Sequence, residues 1–204
     1  MIREPIFTAT PIKELRPTQI TVGLREVESK RRRWREKHGK KAGEFLGNHM
    51  IPVVLGPQER RYVTDHHHLA LALRDEGIEE VATTVALDLS RLERDVFWVV
   101  LDNRGLMHPF DERGRRRSYQ DIPSSLDDLV DDPYRSLAGG LRRLGGYAKD
   151  TTPFSEFLWA DFLRRRIARK AVDKHYERAL DDALKLARGK DADYLPGWCG
   201  PTDD

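Results

Sequence analysis

The run Tyr62-Val63-Thr64-Asp65-His66-His67-His68-Leu69-Ala70-Leu71-Ala72-Leu73 constrains this chain more than any other stretch. A β-like segment ends in one carboxylate and three consecutive imidazoles, and an apolar helical segment begins directly behind them. Burying four such groups at a strand-to-helix junction costs several kcal/mol unless they are paired. Phosphate chemistry, a metal and a buried polar knot are the three explanations. Asp65 stands where a helix N-cap would, so the amides of His67 and His68 fall in the first turn. Free N–H groups and the helix dipole make that turn an anion site. An imidazole beside a phosphate can be charged or donate a hydrogen bond, and a nearby carboxylate can orient it or act as a base. Successive side chains at a helix start diverge by ~100°, so three neighbouring histidines do not easily share one ion. A Zn²⁺ or Mn²⁺ ion held by all three, though imidazole and carboxylate suit such ions, is therefore disfavoured.

Ile51–Leu55 and Arg60–Thr64 read as strands joined by a turn at Gly56-Pro57, and Val81–Leu89 as a third strand. Upstream, Pro5, Pro11 and Pro17 keep Ile2–Ile20 extended or turning. Leu24–Glu36, free of proline and glycine, reads as a helix. It ends in Lys30-Arg31-Arg32-Arg33-Trp34-Arg35, either a solvated face with Glu–Arg pairs or a phosphate-contacting patch with Trp34 as a stacking partner. Gly39–Gly47 is a loop-rich connector. The apolar helix after the histidines stops at Gly77. Ser90-Arg91-Leu92-Glu93 has the form of a capping box for a helix through Val96 and Val100 to about Asn103.

Leu106–Pro123 is irregular and carries Arg113-Gly114-Arg115-Arg116-Arg117, read as a solvated loop; the domain seam is placed here. Beyond it the pattern is helical. Asp132-Pro133 looks like an N-cap followed by proline at the first helical position. The Phe154, Phe157, Trp159 and Phe162 cluster reads as helix packing. Ala168 to Ala187 forms an almost continuous apolar stripe that includes His175 as a core or interface residue, and its length permits a homodimer through the C-terminal helices. His49 and His108 are read as structural loop residues.

Thirty-six Lys+Arg against 34 Asp+Glu leave a formal charge of +2, so nucleic-acid binding would need a local patch rather than the whole surface. A single cysteine, Cys199, excludes an intrachain disulfide. No apolar run approaches a membrane span, and Met1–Pro5 lacks the order of a signal peptide. These features predict a cytoplasmic protein with no membrane partner.

The junction resembles the Asp-Gly-His-His-Arg box of the ParB/sulfiredoxin superfamily, in particular its ParB-like branch of bacterial proteins described as nucleases. Leu15, Pro17, Thr18, Gln19, Val22, Gly23, Glu26 and Lys30 resemble the start of that domain. The similarity covers roughly residues 8–90, and Asp132–Arg165 resembles the branch's C-terminal part. His66 stands in place of the box glycine, and Leu69 in place of the arginine that would hold phosphate; Arg74 or Arg31–Arg33 are the substitutes considered. The resemblance implies nucleotide binding at the junction helix. Superfamily members bind DNA and hydrolyse CTP, use ATP to repair a cysteine sulfinate, or phosphorylate free serine. The box carries no cysteine, which disfavours the sulfinate chemistry.

The expected architecture is α+β: a ParB/sulfiredoxin-like domain with a small mixed sheet over residues 1–105, then an α-helical region over 106–204. The expected function is binding of a nucleotide or small phosphorylated ligand, followed by phosphoryl transfer or phosphoester hydrolysis. Glu26, Asp65 and His67 are the catalytic candidates. Gln19, Lys30, His66, His68 and Arg74 are the phosphate- or nucleotide-binding candidates, with Mg²⁺ accompanying a nucleotide and no resident metal. The alternatives are DNA binding or nuclease action through Lys30–Arg35 and Arg113–Arg117, and a non-catalytic interaction protein whose histidines are structural.

Overall fold

The three strands expected around the histidine run form the middle of a five-stranded mixed sheet. A computed structural model describes residues 8–37 and 50–201. The connector Gly39–Gly47, His49 and the first residues of Ile2–Ile20 lie outside the described residues. Strands β1 (Thr8–Pro11), β2 (Leu15–Pro17), β4 (Ile51–Leu55), β5 (Arg61–Val63) and β6 (Glu80–Asp88) take the order β1-β6-β4-β5-β2. The β1–β6 and β4–β5 pairs are antiparallel; β4–β6 and β2–β5 are parallel.

Alternation along the central strands divides the apolar residues between two faces. Val53 and Val63 pack with helices α1 (Leu24–Lys37) and α2 (His67–Asp75). Val54 and Tyr62 pack with Phe97, Trp98 and Leu101 of α3 (Arg94–Asn103). Seven α-helices are present among the described residues, so the molecule is α+β, with helices on both sheet faces and a helical extension.

Helix α1 shows why its residues separate as they do. Val27 and Trp34, seven apart, are buried in the core. Arg31 and Arg35 reach Glu76 beyond the end of α2, at 2.7 Å each. Trp34 is therefore a core side chain rather than a stacking platform, and two of the arginines of the basic run serve the α1–α2 contact. Arg113, Arg116 and Arg117 likewise pair locally with Glu112, Asp102 and Asp121.

Residues 106–131 pack on the sheet unit: Met107 and Ile122 complete one core, and Leu126 and Leu129 the other. Strand β7 (Val130–Asp131) pairs in parallel with β3 (Thr21–Val22). That pairing brings Asp131 to cap α1, its Oδ1 accepting from the Leu24 amide at 2.8 Å. A separate helical core begins at Tyr134 in α4 (Pro133–Arg143) and includes Trp159, Phe162 and Leu163 of α5 (Ser155–Arg164). Asp132 caps α4 as expected, accepting from the Tyr134 amide at 3.0 Å, while its other oxygen receives Arg164 at 2.6 Å.

Three local expectations change. Helix α3 starts at Arg94 without a side-chain cap, because the Ser90 hydroxyl donates to Asp88 instead. The long stripe is two helices, α6 (Arg169–Lys174) and α7 (Tyr176–Arg188), separated by His175 in a non-helical conformation. His175 is exposed there rather than in the core. Apolar periodicity survives the break because both helices bury alanines and Val172 in the same core.

Candidate functional site

A cavity of about 460 Å³ opens between the histidine junction, α1 and the start of α5. Gln19, Glu26, Lys30, Asp65, His66, His67 and His68 all line it. Seven of the eight predicted site residues thus converge. Arg74 does not: it pairs with Asp127 at 2.6 Å and Asp75 at 3.0 Å away from the cavity.

The junction itself differs from an Asp-capped helix. His66 is the N-cap, in the left-handed region at φ 65°, and gives no side-chain cap. Asp65 folds back onto the His66 amide at 2.6 Å. A left-handed conformation disfavours any residue with a Cβ, so the position where the resembling box carries glycine is one where the backbone favours it. The His66 ring reaches the Met50 carbonyl at 3.1 Å. Leu69 and Ala70 donate to the His66 carbonyl; the His67 and His68 amides precede them in the first turn of α2, where N–H groups have no partner within the helix.

The two inner imidazoles are hydrogen-bond acceptors. His67 Nε2 accepts from the Thr18 amide at 3.2 Å, and His68 Nε2 from the Gly23 amide at 3.0 Å. Both rings are buried. Burial pushes His67 down to about 3, and holds His68 well below the ordinary histidine range, reinforced by Arg135. Neutral imidazoles with Nε2 already engaged tie α2 to the β2–α1 connection. Gly23 at this junction meets Ser136 of α4 so closely that a Cβ would lie 2.6 Å from its hydroxyl.

Glu26 and Lys30, four apart on α1, project from one face into the cavity. Glu26 is nearly buried and pairs with Arg143 at 2.5 Å. Its carboxylate lies against Gly139, where a Cβ would fall 2.7 Å from the carboxyl carbon. Burial lowers the Lys30 pKa; Glu26 and Asp65 oppose the shift, while Arg33 and Arg135 reinforce it.

Residues outside the predicted set complete the wall. Arg135 and Arg142, seven apart on α4, line the cavity with Lys149 and Glu156. Arg142 pairs with Glu156. Burial alone would raise the Glu156 carboxyl, but Arg135 and Arg142 together hold it below its ordinary range. Arg135 differs: its Nε and Nη1 are buried without a hydrogen-bond partner, and its guanidinium lies 5.2 Å from the Phe157 ring centroid. The Arg135 guanidinium adds its positive charge to those of Lys30 and Lys149 on the cavity wall. Among the described residues no three His, Cys, Asp or Glu side chains gather as a metal-binding group.

The strand-to-helix box, the Gln19–Lys30 segment leading into it and the helical wall from α4 and α5 define a ParB-like protein. A family model described as "Putative ParB-like nuclease" matches residues 8–165, and the chain belongs to that family. It is also similar to a solved structure, "Crystal structure of protein Atu1540 from Agrobacterium tumefaciens", at 55% identity and a TM-score of 0.91 over 97% of this chain and 99% of that one. No curated protein matches the sequence. No helix among the described residues is long and apolar enough to cross a membrane.

Proposed function

We propose that this ParB-like protein binds a nucleotide or another small phosphorylated ligand in the 460 Å³ cavity and catalyses phosphoryl transfer or phosphoester hydrolysis on it. The observation that carries the reading is the group of cationic side chains, Lys30, Arg135 and Lys149, lining a cavity that also holds the start of α2. Phosphate oxygens would accept from the Arg135 fork, the Lys30 ammonium and the His67 and His68 amides. The imidazoles of His67 and His68 support this arrangement from behind by fixing α2, and His66, at the rim, faces the ligand. Gln19 donates its amide to the Thr21 carbonyl at 2.7 Å, leaving its oxygen for a ligand donor.

Of the two catalytic carboxylates, Asp65 is the more open, with a side chain 76% exposed and one oxygen toward the His66 ring at 3.7 Å. It suits the role of base toward an entering hydroxyl or water. Glu26, clamped by Arg143, suits orientation of Lys30 or of the nucleophile. Mg²⁺ would enter with the ligand's phosphates and take at most one or two carboxylates from the protein.

Calorimetric titration of ATP, ADP, CTP and GTP with Mg²⁺ tests the reading. Saturable heat with at least one is expected, followed by release or transfer of phosphate; no heat with any of the four removes it. The matched family's description as a nuclease favours a second reading, with DNA phosphodiesters as substrate. Gel-shift and plasmid-nicking assays across a salt series separate the two, since DNA binding would weaken steeply with salt. Nucleotide binding without DNA binding rejects the second.

A further inference from the structure

A second cavity of about 340 Å³ adjoins the first and shares Pro153, Phe154 and Phe157 with it. Its character is opposite. His108, Phe110, Phe154, Phe157 and Leu158 give it an aromatic wall, with Asp161 and Arg164 at one side. The His108 ring stacks on Phe157 at 3.9 Å and on Phe110 at 4.6 Å, and lies 5.0 Å from Phe154. Phe110 and Phe154 are half-buried and Leu158 is exposed, whereas His108 is stacked between Phe157 and Phe110. Phe154, like His66, is a left-handed non-glycine residue, at φ 57°, and serves as the uncapped N-cap of its helix.

Three observations connect the two compartments. Phe157 is touched from the first by Arg135, 5.2 Å from its centroid, and from the second by His108. Arg135 and His108 thus meet at one ring, Phe157, which lines both compartments. His108 is held in place by the connection that holds the box, its amide donating to the Thr18 carbonyl at 2.8 Å while the Thr18 amide donates to His67. Arg164 Nε is buried without a partner at the second cavity, as Arg135 Nε is at the first.

We infer that the two cavities are one bipartite site for a phosphate ester of a planar aromatic group, the phosphates in the Lys30–Arg135 compartment and the aromatic ring against Phe110 and Phe154. The inference rests on the phosphate-binding reading of the first cavity and adds where the rest of the ligand lies. A planar ring gains stacking on aromatic faces irrespective of its substituents. The Arg164–Asp161 pair and the neutral imidazole of His108, which burial, aided by Arg135 and Arg164, holds at about 3, supply polar contacts at the ring edge.

The test compares ATP, CTP and GTP with inorganic tripolyphosphate, which has the same phosphate chain and no ring. The wild-type protein should bind at least one nucleotide about tenfold or more tightly than tripolyphosphate. Phe110→Ala, which removes a stacking face, and Leu158→Trp, which fills the cavity from its half-exposed edge, should reduce that preference to near unity and leave tripolyphosphate binding unchanged. Equal wild-type affinity for tripolyphosphate and every nucleotide overturns the inference and leaves the phosphate site standing, as does a preference that survives both variants in folded form. Absence of binding by tripolyphosphate and nucleotides alike overturns both. The wild-type comparison decides even where a variant does not fold.

Discussion

The two walls of the cavity contrast in how their polar groups are satisfied. On the junction wall, His67 and His68 are buried, neutral and already engaged by the Thr18 and Gly23 amides. On the helical wall, Arg135 is half-buried, with Nε and Nη1 lacking hydrogen-bond partners. The three histidines dominate the sequence, yet the two inner ones hold the wall together, and an inconspicuous arginine lines the cavity opposite them. Residues conspicuous in sequence can supply the rigidity on which a site is built.

The largest effect that sharpens this contrast is a pH dependence of stability. His67 and His108 titrate near 3 in the folded protein and His68 well below its ordinary value, against about 6.5 for an unfolded histidine. The unfolded chain therefore binds more protons between pH 6.5 and about 3. Stability from these groups is complete above 6.5 and is lost as the pH falls toward 3, by roughly 1.4 kcal/mol per unit for each fully shifted histidine. Urea melts at pH 7, 6 and 5 should show the decline. His67→Gln, which keeps an acceptor for the Thr18 amide but cannot protonate, should lessen its slope; an unchanged slope would deny His67 its buried neutral role.

A smaller effect concerns the seam between the walls. Gly139→Ala would set a methyl group against the Glu26 carboxylate and displace it from Arg143. Overpacking of this kind costs about 1–3 kcal/mol. Denaturant unfolding should show the loss; a neutral result would mean that α1 and α4 yield freely at this contact. The smallest effect is at His66. Glycine there relieves a left-handed conformation that costs a residue with a Cβ roughly 1–2 kcal/mol, against the loss of the Met50 contact. His66→Gly should raise the melting temperature slightly, and a fall would assign the ring more of the junction's stability than its backbone strain removes.

What was legible in the sequence follows from the range of the forces involved. The strands Ile51–Leu55 and Arg61–Val63, the α1 helix and the Asp132 cap rest on local alternation, propensity and a side chain bonding two residues ahead, and local pattern reveals them. Glu26 and Lys30 come from the resemblance to the start of the ParB-like domain, and their four-residue helical spacing places them together on α1. The same reasoning at seven residues places Arg135 and Arg142 on one face of α4, a signal present in the helix beginning at Asp132-Pro133. That Arg135 lacks partners while Arg142 has Glu156 depends on how α5 docks, which no local pattern carries. The two-residue β3–β7 pairing and the conformational break at His175 are likewise tertiary outcomes. Ser90 misled because its hydroxyl had a nearer acceptor in Asp88. For Trp34 the charged run left two readings open, and its seven-residue spacing from Val27 puts it in the core.

The most direct measurement is a calorimetric titration of tripolyphosphate into the wild-type protein, Arg135→Ala and His67→Gln at pH 7. Losing the fork's charge-assisted hydrogen bonds is worth about 1.5–3 kcal/mol, so Arg135→Ala should bind roughly 10- to 100-fold more weakly, with His67→Gln close to wild type. Wild-type affinity in Arg135→Ala, or an equal loss in a well-folded His67→Gln, would contradict the division of labour between the two walls.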